Sequence, residues 1–230
     1  MPKTEKEKPV ADSVVLVSGG LDSAVTAAIA ARLGHPAFLH VNYGQRTEAR
    51  ELAAFDALTG RYKIKNRLIA DIAYLSDIGG SALTDRKIDV PKGDVGRKDI
   101  PPTYVPFRNA NLLSIAISWA EALGAKAVFI GAVEEDSSGY PDCRREFFDA
   151  FEKAVALGTK PGAGISIITP LIHMRKSEII KKGVELAAPM ELTWSCYKDS
   201  DMACGNCDSC LLRLRGFKEA GITDPLEYKK

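Results

Sequence analysis

"DSVVLVSGGLDSAVTAAIAARLG", residues 12–34, decides the fold. An apolar run ends at Ser18, two glycines follow, and an alanine-rich run then reaches Gly34. A short apolar run closed by turn residues reads as a buried parallel strand. Alanine is the strongest helix former, and Gly34 stands where a helix would stop. A strand that turns through glycines straight into a helix presents backbone N–H groups and the positive end of the helix dipole to whatever lies beyond it. Ser18 and Ser23 add hydroxyl donors. The turn thus reads as an anion cup for phosphate, formed by Val17, Ser18, Gly19, Gly20, Leu21, Asp22 and Ser23. Neither GxxxxGK[ST] nor GxGxxG is present, so the lysine that usually completes a phosphate loop must come from elsewhere.

Outward from this turn, apolar and helical patterns alternate. Strands are expected at 36–44, 62–71, 126–133 and 164–171, and helices at 48–60, 109–125, 145–158 and 176–187. This order predicts an α/β fold, a doubly wound, mostly parallel five-stranded sheet. Ligands of such sheets sit beyond the carboxyl ends of the strands. The segments 18–23, 42–46, 134–144 and 169–176 all fall there, which predicts one active site. Between 72 and 105 the pattern fails, and a loop that long in a compact domain is usually functional or mobile. Expected boundaries are a flexible terminus over 1–11, a domain over 12–189 that carries the anion cup, and a C-terminal metal segment over 190–230 packed on it.

The chain has 230 residues, of which 46% are apolar, enough for one large core. Its net charge is +1, so no overall field draws it to nucleic acid, and none is expected as a partner. The Lys181–Lys182 and Arg213–Arg215 clusters read as solvated helix faces. No apolar run reaches the ~18 residues of a membrane span, and the charged opening lacks a signal-peptide core. No membrane association and a cytoplasmic location are therefore expected.

Cys196, Cys204, Cys207 and Cys210 have the spacing C-x7-C-x2-C-x2-C. Without a secretory signal, such crowding suggests a metal rather than disulfides. Four thiolates make a closed tetrahedral site for structural Zn2+, and an iron–sulfur cluster is the competing reading. Cys143 stands apart, with no histidine dyad to make it a nucleophile.

SGGLDS after a first buried strand resembles the SGGxDS loop of the PP-loop ATP pyrophosphatases, whose fold is adenine nucleotide alpha hydrolase-like. That resemblance implies ATP as the bound nucleotide, gripped at its pyrophosphate, and transfer of AMP to a substrate oxygen. "HMRKSEII" (173–180) is similar to the K-x-E-[IV] segment that brings a lysine to the phosphates, which singles out Lys176. Arg108, at the mouth of a helix, is a second cation able to clamp phosphate or carboxylate. Asp22, Lys176 and Arg108 are the expected catalytic set, with Mg2+ on the phosphates.

"NYGQR" (42–46), "VPFRN" (105–109), "SSGYPDCR" (137–144) and the four cysteines together resemble the 7-cyano-7-deazaguanine synthase (QueC) family of queuosine biosynthesis. One departure is Thr47, where a basic residue commonly follows "YGQR". The resemblance implies ATP-dependent conversion of 7-carboxy-7-deazaguanine and ammonia to the nitrile, and a homodimer. For the base, Tyr140 offers a ring, Asp142 an acceptor and Arg144 a cation; the bland alternative for Asp142 is a helix cap before 145. Nothing in the length is left for an ammonia-releasing domain, so ammonia is expected free or from a partner. A PP-loop tRNA thiolase, another adenylating amide ligase and a non-catalytic nucleotide-binding adaptor are the competing readings.

Overall fold

In the computed structural model, residues 11–94, 99–134 and 139–229 are described; the expected flexible terminus lies almost wholly outside them. Five strands form one parallel sheet: β1 (Ser13–Leu16), β2 (Pro36–Asn42), β3 (Arg67–Asp71), β4 (Ala127–Ile130) and β5 (Ser166–Ile168), in the order β3-β2-β1-β4-β5. Each falls within an expected strand and is shorter than it, the third beginning at Arg67 rather than 62.

Both faces of the sheet are covered, and the alternation of β1 shows why. Val14 and Leu16 face one way, against Leu113, Ala116, Ile117 and Ala120 of α4 (Arg108–Leu123) and Phe148 of α5 (Arg145–Gly158). Val15 faces the other way, against Ala24 and Ala27 of α1 (Leu21–Leu33) and Phe55 and Leu58 of α2 (Glu48–Arg61). Successive side chains of a strand point to opposite faces, so a strand buried on both must be apolar throughout. That is why "VVLV" does not alternate. The small alanines of α1 let it lie close over the sheet centre.

The strand order reverses between β1 and β4. The connections to α1 and α2 leave on one face and those to α4 and α5 on the other, which opens a crevice at the carboxyl ends of these two strands.

Three further helices complete the fold. α3 (Tyr74–Ile78) is a short turn within the stretch 72–105 that carried no pattern. α6 (Lys176–Glu185) packs on α1, and α7 (Asp208–Ala220) packs on α6, with Val25, Ile179, Ile180 and Phe217 in their shared core. No helix among the described residues is long and apolar enough to cross a membrane.

The described part of the irregular stretch, up to Asp94, is stitched down. The Arg46 guanidinium donates to the carbonyls of Ala82, Asp85 and Ile88 at 2.6, 2.9 and 2.6 Å. Further on, Gly93 N donates to Asn206 O at 2.8 Å and Asp94 N to Asp208 Oδ1 at 2.7 Å, fastening it to the cysteine segment.

Arg213 corrects the expectation of a solvated cluster. It is 2% exposed, among the largest fully buried side chains, and its guanidinium meets the Asp224 carboxylate at 2.8 Å. It also donates to Thr193 Oγ1 at 2.8 Å and Ser195 Oγ at 3.2 Å. A buried guanidinium needs such a set of acceptors to offset its desolvation. Arg215, by contrast, is half-exposed on the outer side of α7.

Candidate active site

The crevice holds a cleft of ≈ 260 Å³ at the ends of β1, β2 and β4. Its floor is the SGGLDS turn. Gly19 has φ +88°, and a side chain there would place its Cβ 2.6 Å from Glu51 O, so only glycine fits between the turn and α2. Gly20 caps α1 with no side-chain hydrogen bond, which leaves the first-turn N–H groups of the helix to a ligand. Ser23 Oγ donates to Gly20 O at 2.9 Å and the Ser18 and Ser23 hydroxyls lie 3.3 Å apart, so the turn is held closed by its own side chains. From outside, Trp194 N donates to Gly19 O at 2.8 Å. These features fit a phosphate chain: a glycine cradle, free N–H groups and a positive helix end.

A lysine reaches the lip of the turn from α6. Glu178 accepts from Arg175 N at 2.7 Å, which fixes the start of the helix and makes Lys176 its first residue. Lys176 is 7% exposed, and its Nζ donates to both oxygens of Asp22, at 2.7 and 2.8 Å. Separated by 154 positions in sequence, these two residues form an ion pair at the lip of the turn. Val17, Ser18, Gly20, Leu21, Asp22, Ser23 and Lys176 all line the cleft; Gly19 lies behind them.

The opposite wall is aromatic and cationic. Tyr43, Tyr140 and Tyr197 line it together with Arg108, and Trp194 lines the cleft beside the turn. The Arg108 guanidinium lies 5.4 Å from the Tyr43 ring centre and 6.0 Å from that of Tyr140, and donates to Tyr43 Oη at 3.3 Å. Its Nε is buried without a protein partner. Burial in this wall pushes the Tyr43 phenol up to about 12. A planar ligand bearing an anionic group suits such a wall: rings for its faces, a guanidinium for its charge.

Of the "GYPDCR" residues, only Tyr140 and Cys143 line the cleft. Asp142 is buried and accepts from Asn109 N at 2.9 Å, capping α4. It therefore does the capping work that was the bland alternative, though for a different helix. Burial pushes its carboxyl above the ordinary range. Arg144 is exposed at the start of α5, outside the cleft. Ser137 and Ser138, which open the same motif, lie outside the described residues. Burial also pushes the Cys143 thiol up to about 11, with Asn109 Nδ2 donating to it at 3.3 Å. Such a thiol is protonated at neutral pH and is a poor nucleophile.

The residue that sequence reading passed over is Glu51. It stands on α2 with Phe55 and Leu58, on the stripe that faces the sheet, and it lines the cleft. Thr47 Oγ1 donates to Glu51 Oε1 at 2.8 Å, and Gln45 Nε2 to Oε2 at 3.2 Å. Burial pushes its carboxyl up to about 7, against the pull of these two donors and of Arg108. The periodicity 51, 55, 58 was the available signal, since it puts an acid on a buried face.

Beside the cleft, the Sγ atoms of Cys196, Cys204, Cys207 and Cys210 all lie within 4.8 Å of one another, and all four residues are buried. Cys204 and Cys210 are 3.9 Å apart. Four sulfurs at ~2.3 Å from one ion stand ~3.8 Å apart, so the group fits a single tetrahedral metal. Backbone N–H groups of Lys198, Asp199 and Cys204 point at Cys196 Sγ at 3.3–3.4 Å, as suits a thiolate.

The model of the family described as "Queuosine biosynthesis protein QueC" matches residues 12–221. The chain belongs to the QueC family. It is similar to a QueC-type protein named 7-cyano-7-deazaguanine synthase from Chlorobium phaeobacteroides, 58% identical over 219 residues, 95% of this chain and 97% of that one. A protein of the same name from Chloroherpeton thalassium is 58% identical over 218 residues, 94% of this chain and 96% of that one. Among solved structures, the U34-tRNA thiolase NcsA of Methanococcus maripaludis with its [4Fe-4S] cluster superposes with TM-score 0.50 at 14% identity, covering 91% of this chain and 64% of the thiolase. At that identity the thiolase shares the fold of this QueC chain and nothing of its chemistry is carried over.

Proposed function

We propose that this chain converts 7-carboxy-7-deazaguanine and ammonia to 7-cyano-7-deazaguanine at the expense of ATP. The observation that carries the reading is that the anion cup, the Asp22–Lys176 pair and the Arg108–tyrosine wall face one cleft. Membership of the QueC family and the names of its relatives support it.

A carboxylate is a poor electrophile because its oxygen leaves badly. With the β- and γ-phosphates of ATP in the cup, attack of the substrate carboxylate on the α-phosphorus would give an acyl adenylate and pyrophosphate. Lys176 supplies positive charge where the pyrophosphate forms, and fixed cations of this sort act strongly in a water-poor site. Arg108 and the rings of Tyr43 and Tyr140 would orient the heterocycle. Ammonia then attacks the carbonyl carbon, the C–O bond to AMP breaks, and an amide results. Attaching a second AMP to the amide oxygen allows its loss with a proton from nitrogen, leaving the nitrile. One cleft serves both rounds because the activated atom is oxygen each time. Mg2+ would accompany the phosphates, as hard oxygen ligands require.

For the four-cysteine group we propose zinc. A closed set of four thiolates offers no open position for substrate, and its sulfurs stand as close as one ion requires, whereas a cluster spreads them over several irons. Zn2+ there would brace the C-terminal segment. The protonated Cys143 also counts against a sulfur-transfer reading. A homodimer and a cytoplasmic location belong to the same proposal on the family resemblance.

The deciding experiment is mass spectrometry of products after incubation with 7-carboxy-7-deazaguanine, ammonium and ATP. The amide and then the nitrile are expected; ATP left intact with neither product would sink the reading.

A further inference from the structure

Glu51 has no role in the chemistry described so far, yet it is a carboxylate facing a cleft built to bind an anion. Among the described residues it pairs with no lysine or arginine at ion-pair distance. Its two oxygens are instead held by neutral donors, Thr47 Oγ1 at 2.8 Å and Gln45 Nε2 at 3.2 Å. Gln45 is itself fixed, since its Oε1 accepts from Tyr43 N at 2.8 Å. A carboxylate oxygen can accept two hydrogen bonds, so each keeps capacity to accept from a ligand. The side chain is thus aimed and held, and it touches the same cleft as Asp22, Lys176 and Arg108.

Ammonium dominates over ammonia at neutral pH, and ammonium has no lone pair with which to attack a carbonyl. An enzyme using free ammonia therefore needs a group that attracts the cation and removes one proton beside the electrophile. Asp22 is engaged on both oxygens by Lys176, and Asp142 by the N terminus of α4. Among the described residues, that leaves Glu51 as the carboxylate of the cleft whose partners are only neutral side chains.

We propose that Glu51 is the ammonium-binding base of this reaction. The inference rests on the synthase reading above. Ammonium donates to the carboxylate and gives it one proton. The resulting ammonia forms the C–N bond as the C–O bond to AMP breaks, and the electron pair leaves with AMP. The second proton shed by nitrogen is carried off on the AMP phosphate, so the step balances as an amide, an AMP monoanion and a neutral Glu51.

The electrostatics suit the task. Burial is the main influence on Glu51 and raises it to about 7; Arg108 across the cleft lowers it, and Glu48 on the same helix raises it. The Tyr43 phenol beside it is neutral, with a pKa of about 12. A base poised near the working pH is the efficient choice for proton transfer.

The test compares Glu51→Gln with the unaltered chain in two assays. Acid-dependent exchange of pyrophosphate into ATP reports the adenylation step, and amide formation reports the attack of nitrogen. In the variant, amide formation with ammonium at pH 7 should fall by about 10²–10⁴-fold, well beyond any change in exchange. The loss should shrink as pH is raised and free ammonia grows. Hydroxylamine, already neutral at pH 7, should restore acyl capture. Ammonium kinetics unchanged in Glu51→Gln, exchange lost in proportion to amide formation, or a loss that hydroxylamine leaves in place would each overturn the proposal. Absence of exchange in the unaltered chain would instead overturn the synthase reading.

Discussion

Gly216 of α7 lies directly over the stem of Lys176. A Cβ at 216 would fall 2.9 Å from Lys176 Cβ and closer still to its Cγ, so the absent side chain is the space the lysine occupies. Because those atoms belong to the root of the side chain, Lys176 could yield only by leaving its bond to Asp22. Gly216→Ala should therefore lower ATP turnover by at least about tenfold, although alanine is the better helix former by about 1 kcal/mol. Metal content should be unchanged. Turnover equal to that of the unaltered chain would show that α7 does not set the lysine.

Lys176→Met keeps the length and removes the charge. Turnover should fall by about 10²–10³-fold, the range seen when one preorganised donor to a developing anion is removed. Asp22 loses its partner, but its side chain is 28% exposed and remains reachable by water, so the fold should persist. Asp22→Ala should have the same outcome. Circular dichroism beside an ATP assay checks both.

Cys207→Ala removes one of four sulfurs that stand within 4.8 Å of one another. Metal stoichiometry by mass spectrometry should fall from one toward zero, with Tm lower by about 10 °C or more, since binding and folding are linked at such sites. A metal-free variant with normal activity and Tm would refute the bracing role.

Glu51 also makes a stability prediction. Its folded pKa is raised from 4.5 to about 7, so its protonated form favours the folded state. Stability from this source is full below the unfolded value and is lost as pH climbs through about 7. Glutamine keeps the neutral form at every pH. The Tm advantage of Glu51→Gln should widen between pH 5 and 7.5, then level off; a gap that stays flat or narrows would show that burial does not hold the proton.

The strands, the glycine turn and the cysteine group were all legible in the sequence because each is written in a short stretch of residues. "VVLV" between charged and glycine neighbours admits few readings, and C-x2-C-x2-C fewer. What the sequence hid was set by tertiary partners. Arg213 looks like any surface cation until Asp224, Thr193 and Ser195 are brought around it. Asp142 sits just before a helix it could have capped, but it caps α4 instead, because the turn at 141–143 folds back onto Asn109. Arg144 follows it in sequence and points away from the cleft. Lys176 could be matched to Asp22 only through a motif, since 154 positions separate them.

The bond from Trp194 N to Gly19 O has a consequence for the order in which this protein is made. Lys176, Trp194 and Gly216 are all synthesised after the glycine turn, Lys176 by 154 positions. A nascent chain that stops short of them carries the turn without the lysine on Asp22 or the bond that anchors Gly19. On the proposed reading, copies ended before residue 176 should be inert rather than wasteful of ATP.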